Sequence, residues 1–383
     1  MKILIAPDSF KSALTAKEAA EAIAKGIKSV LPEAQIIMIP LADGGEGTVD
    51  ALVSAAGGTL LPVTVKDPLL RNITACYGIL GDNNTAVIEM ASASGLALLD
   101  QAKLDPLRAS SYGTGQLIKA ALDKGCKKII IGLGGSATND GGLGMLSALG
   151  VKFYNDTGQD SSIGGQGLLD LAAIDLSNLD KRIAATEFIA ACDVKNPLTG
   201  PEGATYIFGP QKGVTESMLK RLDGSMARYG KMIEALTGMD VDKIPGAGAA
   251  GGLGAAVSAF LRADMQSGIE LVMQLVDLEE NIAEVDLVFT GEGRIDAQTS
   301  YGKTLWGLAG LAKKYGTPVI ALTGSIGTGI EVLFNNGFTG IFAIADRPLN
   351  LEQSIKESAS LLESAAQRIT LLVHHLFENF KRQ

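Results

Sequence analysis

The sequence predicts an α/β protein: a doubly wound parallel sheet of Rossmann or flavodoxin-like type built from both chain ends, with a second α/β domain of mixed sheet inserted between them. Three observations predict it. Short apolar runs alternate with helix-period segments near both termini. Three strand-like runs follow one another without a helix in the middle of the chain. Glycine supplies 47 of the 383 residues, about 12% against an ordinary share of roughly 7%, while aromatics supply only 5%. A core short of rings and rich in glycine turns suits helices layered on a sheet.

In order along the chain, Lys2–Ala6 reads as a buried strand ended by Pro7-Asp8-Ser9. Residues 16–30 follow with Ala19, Ala20, Ile23, Ile27 and Val30 at helical spacing, and Thr15 with Glu18 three positions on spells a capping box. A strand at Gln35–Leu41 and a helix from Thr48 to Ala56 complete a βαβα opening. Past Gly57-Gly58 the pattern changes. Runs at 59–66, 73–80 and 85–90 come without helices between them and predict antiparallel strands. Alternation resumes with a helix at 113–124 and a strand at Lys128–Gly132, then a strand at 187–192, a helix at 215–237 and a glycine-rich helix start at 246–260.

The last hundred residues resemble the opening: strand Asp286–Thr290, helix 304–315, strands Pro318–Leu322 and Gly340–Ile344, and a long terminal helix. In that helix Leu351, Ile355, Leu362, Ala365, Ile369, Leu372 and Leu376 form one apolar stripe. The predicted domains are therefore 1–65 with 283–383, and 66–282 inserted.

Thirty-three basic against 42 acidic residues leave a net charge of −9, which argues against a nucleic-acid or anionic-membrane partner. No window holds the ~18 apolar residues that span a bilayer, and the first residues are too briefly apolar for a signal segment, so the cytoplasm is the expected compartment. Cys76, Cys126 and Cys192 are scattered, with no zinc or disulfide spacing.

Chemistry is expected where the strands end, because ligands of open α/β sheets bind outside the carboxyl ends of the strands. Five strand ends of the terminal domain run into polar sequence: Asp8-Ser9-Phe10-Lys11-Ser12, Asp43-Gly44-Gly45-Glu46, Gly291-Glu292-Gly293-Arg294-Ile295-Asp296, Thr323-Gly324-Ser325 and Asp346-Arg347. In the inserted domain an apolar strand enters Gly134-Gly135-Ser136-Ala137-Thr138-Asn139-Asp140-Gly141-Gly142 and then a helix. Backbone amides at such a turn, with a helix start behind them, cradle an anion, and Ser136 and Thr138 add donors. A capped strand–helix turn would give the same letters.

Asp193, after the strand 187–192, suits a Mg²⁺ ligand or a general base, with turn capping as the alternative. Glu89, Ser92, Ser94, Arg108 and Thr114 are of the types that bind small acids. Two near-matches are discounted. Gly246–Gly251 fits GxGxxG but lacks a preceding strand, and Gly302-Lys303-Thr304 ends like a Walker loop whose first glycine is Ala297. Lys303 can still neutralise phosphate as a point charge. The two histidines, His374 and His375, lie in the terminal helix, so acid–base work falls to carboxylates or lysines and phosphoryl transfer fits best.

These segments, in this order and over nearly the whole chain, resemble the bacterial glycerate kinase family of the two-domain, type I class. The matching motifs are 6–12, 42–48, 134–142, 248–254 and 290–296. The resemblance implies ATP-dependent phosphorylation of D-glycerate to 2-phosphoglycerate, or to the 3-phosphate, with Mg²⁺, in a cleft between two α/β domains. The resemblance does not assign individual side chains, and the roles expected for them come from the strand-end motifs above. Asp193, Lys11, Asp8 and Arg294 are taken as catalytic. Ser9, Ser12, Asp43, Gly44, Gly45, Glu46, Glu292 and Asp296 are taken to bind substrate. Gly134, Gly135, Ser136, Thr138, Asn139 and Lys303 are taken to hold ATP, and Asp193 with Asp43 the metal. The terminal helix offers a face for a homodimer. Two competing readings are an NAD-linked dehydrogenase of a small hydroxy acid and a non-catalytic two-lobed binding protein.

Overall fold

The computed structural model describes residues 1–41, 47–300 and 303–380, without the side chains of Lys303 and 377–380. The chain forms two compact units, Met1–Asp43 with Asp50–Ala56 and Ile269–Gln383, and Gly44–Val49 with Gly57–Gly268.

Strands β1 (Lys2–Ile5) and β2 (Gln35–Met38) open the first unit, separated by the helix Ala16–Val30. That helix starts where the sequence predicts: Thr15 Oγ1 accepts from the Glu18 amide while Glu18 accepts from the Thr15 amide. The second unit contributes β3 (Thr59–Lys66), β4 (Asn72–Ile79), β5 (Thr85–Glu89), β6 (Lys128–Gly132), β7 (Lys152–Asn155), β8 (Leu171–Asp175), β9 (Glu187–Ala191) and β10 (Asp264–Gln266). The chain then returns to the first unit with β11 (Leu287–Ile295), β12 (Val319–Ile326) and β13 (Phe338–Ala343).

The first unit's sheet is wholly parallel, in the order β13-β12-β11-β1-β2. Counted within the unit this is 2-1-3-4-5, whose order reverses between β1 and β11. Ile3, Ile5, Leu287, Phe289, Ile320 and Leu322 pack on one face against the helices Ala16–Val30 and Ser358–Phe380. Alternate residues Leu4, Val288, Val319 and Ala321 are equally buried, so the opposite face is covered too. Gly26 lets the two terminal helices close up, since a Cβ there would lie 2.2 Å from the Glu363 carbonyl oxygen.

The second unit holds a mixed sheet, β10-β9-β6-β5-β4-β3, parallel from β10 to β5 and antiparallel from β5 to β3. The antiparallel run is the one predicted from three strands without helices. The small antiparallel pair β7-β8 was not legible, because four and five residues are too short for a clear period.

Two expectations are corrected. The terminal stripe is not one helix face: the helix breaks between Leu351–Lys356 and Ser358–Phe380. Leu362, Ala365 and Ile369 are buried, but Leu351, Leu372 and Leu376 are exposed. The helix predicted from 246 forms only after Ala250, Gly251 and Gly252, which all adopt left-handed backbone.

Candidate functional site

In the first unit, the carboxyl ends of β1 and β11 lie side by side at the reversal point of the sheet, although 284 residues separate them in sequence. The Ala6 amide donates to the Phe289 carbonyl and the Asp8 amide to the Gly291 carbonyl, both at 2.8 Å. Thr290 Oγ1 donates to the Ala6 carbonyl at 2.7 Å. Gly291 and Gly293 admit the neighbouring chains: a Cβ on Gly291 would meet the Leu322 carbonyl oxygen at 2.2 Å, and one on Gly293 would sit against the Phe10-Lys11 backbone. Thus two predicted motifs, Asp8–Ser12 and Gly291–Asp296, become one surface.

Its central side chain is Glu292, half-buried, whose Oε1 accepts from Thr299 Oγ1 at 3.0 Å. Burial pushes the carboxyl up to about 7; Asp8 and Asp296 push the same way, while the Thr299 bond and the Lys11 charge oppose them. Asp296 is held low by its bond from Arg294 Nε at 2.9 Å. Arg294 and Lys11 are exposed, Asp8 and Ser9 half-buried, and Ser12 takes a left-handed φ of 65°. Asp43, Gly44, Gly45 and Glu46 lie outside the described residues, as does the Lys303 side chain.

In the second unit β5, β6, β9 and β10 end at one edge because they are parallel. The exit of β6 is the glycine-rich loop. It is pinned to the β5 exit by Leu96 N to Gly135 O at 2.8 Å and Ala137 N to Ser94 O at 2.9 Å. The amides of Gly134, Gly135 and Ser136 donate to no acceptor among the described residues. Gly134 is partly exposed and Gly135 exposed with φ +72°, while Ser136 behind them is buried, so the run of three donors begins at the surface and leads inward.

The helix behind this loop is a different matter from the one expected. It spans only Leu143–Ala148, and its first amides are already taken. Asp140, fully buried, accepts from Gly142 N at 3.0 Å, Gly144 N at 3.2 Å, and from both Ser111 N and Ser111 Oγ. Burial raises the Asp140 pKa against those bonds. An internal carboxylate therefore occupies the helix start, and the anion-binding potential lies upstream, at 134–136. Thr138 and Asn139 are also fully buried: Asn139 Nδ2 donates to Thr205 Oγ1 at 3.2 Å, while Thr138 Oγ1 and Asn139 Oδ1 have no hydrogen-bond partner among the described residues. Ser94 and Thr114 share a buried bond at 2.8 Å.

Asp193 follows β9, directly beside the β6 exit, and its Oδ1 accepts from Ser267 Oγ at 3.0 Å and Gly268 N at 3.3 Å. Those donors come from the end of β10 and fix the carboxylate at the strand edge. Among the described residues no group of three His, Cys, Asp or Glu side chains is gathered to hold a metal. One positioned carboxylate still fits Mg²⁺, which takes one or two carboxylates and draws its remaining ligands from phosphate and water.

The segment Gly246–Gly251 has no strand before it, only a turn at Val241–Lys243. Its glycines serve packing. A Cβ on Gly251 would lie 2.0 Å from the Thr138 carbonyl oxygen, and Gly251 O accepts from the Gly141 amide. The segment buttresses the 134–142 loop. Sequence reasoning missed Lys212, whose Nζ bonds to that loop at Ser136 Oγ and Thr138 O. Its only local signal is a lysine within Gly209-Pro210-Gln211-Lys212-Gly213, a turn without chemistry of its own.

No described helix is long and apolar enough to cross a membrane. Comparison with known proteins gives three further findings. A family model described as the glycerate kinase family matches residues 3–374. A glycerate kinase of Halalkalibacterium halodurans is 49% identical over 97% of this chain and 97% of its own, and the glycerate 2-kinase of Escherichia coli is 47% identical over 96% and 97%. The crystal structure of a Salmonella typhimurium LT2 protein assigned as glycerate kinase 2 superposes with a TM-score of 0.90, at 46% identity over 99% of both chains.

Proposed function

The chain belongs to the glycerate kinase family and is an ATP-dependent glycerate kinase; we propose that it delivers the phosphoryl group to the 2-hydroxyl of D-glycerate, releasing 2-phosphoglycerate in the cytoplasm. The name of the E. coli relative supports the 2-position. The observation that carries the reading into chemistry is Glu292. As the new phosphorus–oxygen bond forms, the glycerate hydroxyl must give up its proton. A carboxylate titrating at about 7 is still ionised enough at neutral pH to accept it, and far more basic than an ordinary one. Glu292 holds that proton; Lys11 and Arg294 supply the positive charge that a substrate carboxylate needs, and Asp8, Ser9, Ser12 and Asp296 complete the polar surface. In the second unit the Gly134–Ser136 amides and Ser136 Oγ hold nucleotide phosphates, for which phosphoryl transfer requires positioned donors above all. Asp193 is the described carboxylate that would hold Mg²⁺, which when bound neutralises charge on the transferring phosphoryl group.

The test is incubation of the purified chain with MgATP and D-glycerate, following ADP release by a coupled assay and the product by phosphorus NMR. Glycerate-dependent ADP release with a 2-phosphoglycerate signal is expected. A 3-phosphoglycerate signal overturns the regiochemistry, and ADP release indifferent to glycerate overturns the substrate.

A further inference from the structure

Behind the 134–136 loop lies a charge that no strand-end motif announces. Lys212 sits in the turn Pro210–Lys212, 76 residues beyond Ser136, with its side chain folded inside the second unit and 2% exposed. Nζ donates to Ser136 Oγ at 2.6 Å and to the Thr138 carbonyl at 2.7 Å. Enclosing an ammonium is unfavourable unless bonds of this kind offset the lost hydration. Asp140 is the carboxylate whose charge reaches Lys212, but its own oxygens are occupied by Ser111, Gly142 and Gly144.

An ammonium can only donate. By donating to Ser136 Oγ it takes up a lone pair of that hydroxyl and leaves the O–H proton to go elsewhere, and no described residue accepts it. The amides of Gly134, Gly135 and Ser136 are likewise without acceptors. One strand exit thus gathers four donors with a cation behind them, a set that an oxyanion satisfies and a metal ion does not. The bond to Thr138 O anchors the far end of the same loop.

We propose that Lys212 in its ammonium form is the positioning residue of the nucleotide loop: it turns Ser136 into a donor toward a phosphate oxygen and places positive charge under Gly134–Ser136. The proposal rests on the reading that this loop holds the phosphates of ATP, and the experiment separates the two. Steady-state kinetics are measured on full-length wild type, K212M, K212Q, S136A and both double variants, with melting temperatures confirming the fold. Each of K212M and S136A is expected to raise KM for MgATP about tenfold while kcat and KM for glycerate stay within about threefold. K212M/S136A is expected to be no worse than K212M, because the contribution of Ser136 is made through Lys212, and K212Q, which keeps an N–H donor without the charge, to recover part of the loss.

Multiplicative effects in the double variant, or an unchanged KM in K212M when S136A raises it, overturn the role of Lys212. An S136A variant that leaves KM for MgATP unchanged, or shifts KM for glycerate instead, overturns the assignment of the loop itself. Should K212M not fold, the same cycle is read on K212Q and K212Q/S136A, where multiplicative effects again count against the role.

Discussion

The two units present the same feature, a row of parallel strands whose carboxyl ends carry the polar residues, and furnish it in opposite ways. At the β1/β11 edge, charged side chains stand half-exposed around Glu292. At the β6/β9 edge the outward donors are backbone amides; Lys212 and Asp140 are sealed beneath them, and the half-buried Asp193 is held by Ser267 and Gly268. Burial draws Glu292 up and Lys212 down, each to about 7. Desolvation penalises whichever form is charged, so one physical cause brings an acid and a base to the same pH from opposite sides. The comparison teaches that burial prepares the two edges for different work: under the proposed function the first exchanges a proton and the second holds an anion still.

The largest effect expected from this contrast is at Glu292. Glu292→Gln should lower kcat by ~10²–10⁴-fold while KM for MgATP changes little. In wild type, kcat/KM for glycerate should fall about tenfold per pH unit below about 7, because a raised carboxyl pKa leaves the acceptor protonated there. A pH–rate profile in which wild type is flat from pH 5.5 to 7.5 would break the contrast between the edges.

Next comes Gly251, which belongs to the buttress of the second edge. Gly251→Ala meets the Thr138 carbonyl oxygen in a left-handed backbone position, and should cost about 2–4 kcal/mol of stability, read as a shift of the urea midpoint. It should weaken MgATP binding through Thr138 and spare glycerate binding.

The smallest effect sharpens the Lys212 side. Its folded pKa is lowered, so the ammonium is lost as pH climbs through about 7 toward the ordinary lysine range. KM for MgATP should rise a few-fold, on the order of threefold, between pH 7 and 9 in wild type, and stay level in K212Q. The charges to consider around it are those of Asp140 and the bound phosphates, which both favour the ammonium. The same shift carries a stability sign: the folded state penalises the charged form fully below about 7, and the penalty is relieved as pH rises toward the unfolded lysine value.

Much of this was legible beforehand because its causes are local. The Thr15–Glu18 box needs residues three apart, the runs at 59–66, 73–80 and 85–90 lack any intervening helix, and the polar strand ends of β1, β6, β9 and β11 are read directly from the letters. The weakness of Gly246–Gly251 as a dinucleotide fingerprint was equally readable, from the missing strand. The interior fate of Thr138 and Asn139 was not. Neighbouring hydroxyl and amide residues in a glycine loop look alike in sequence, and which of them faces the interior depends on the packing of Gly251 and Gly252 against the loop. Nor was the capping of the short helix by Asp140, since an aspartate in such a loop is as good a metal ligand as a cap.

By itself the sequence determined the class of architecture, the family and which strands end in polar segments, because periodicity, turn chemistry and motif order are properties of neighbouring residues. Only the tertiary structure decided that β1 and β11 adjoin, that Lys212 reaches Ser136 from 76 positions away, and that Glu292 titrates near neutrality. Those outcomes follow from burial and from contacts between remote segments, and desolvation acts on a group only once the rest of the chain has enclosed it.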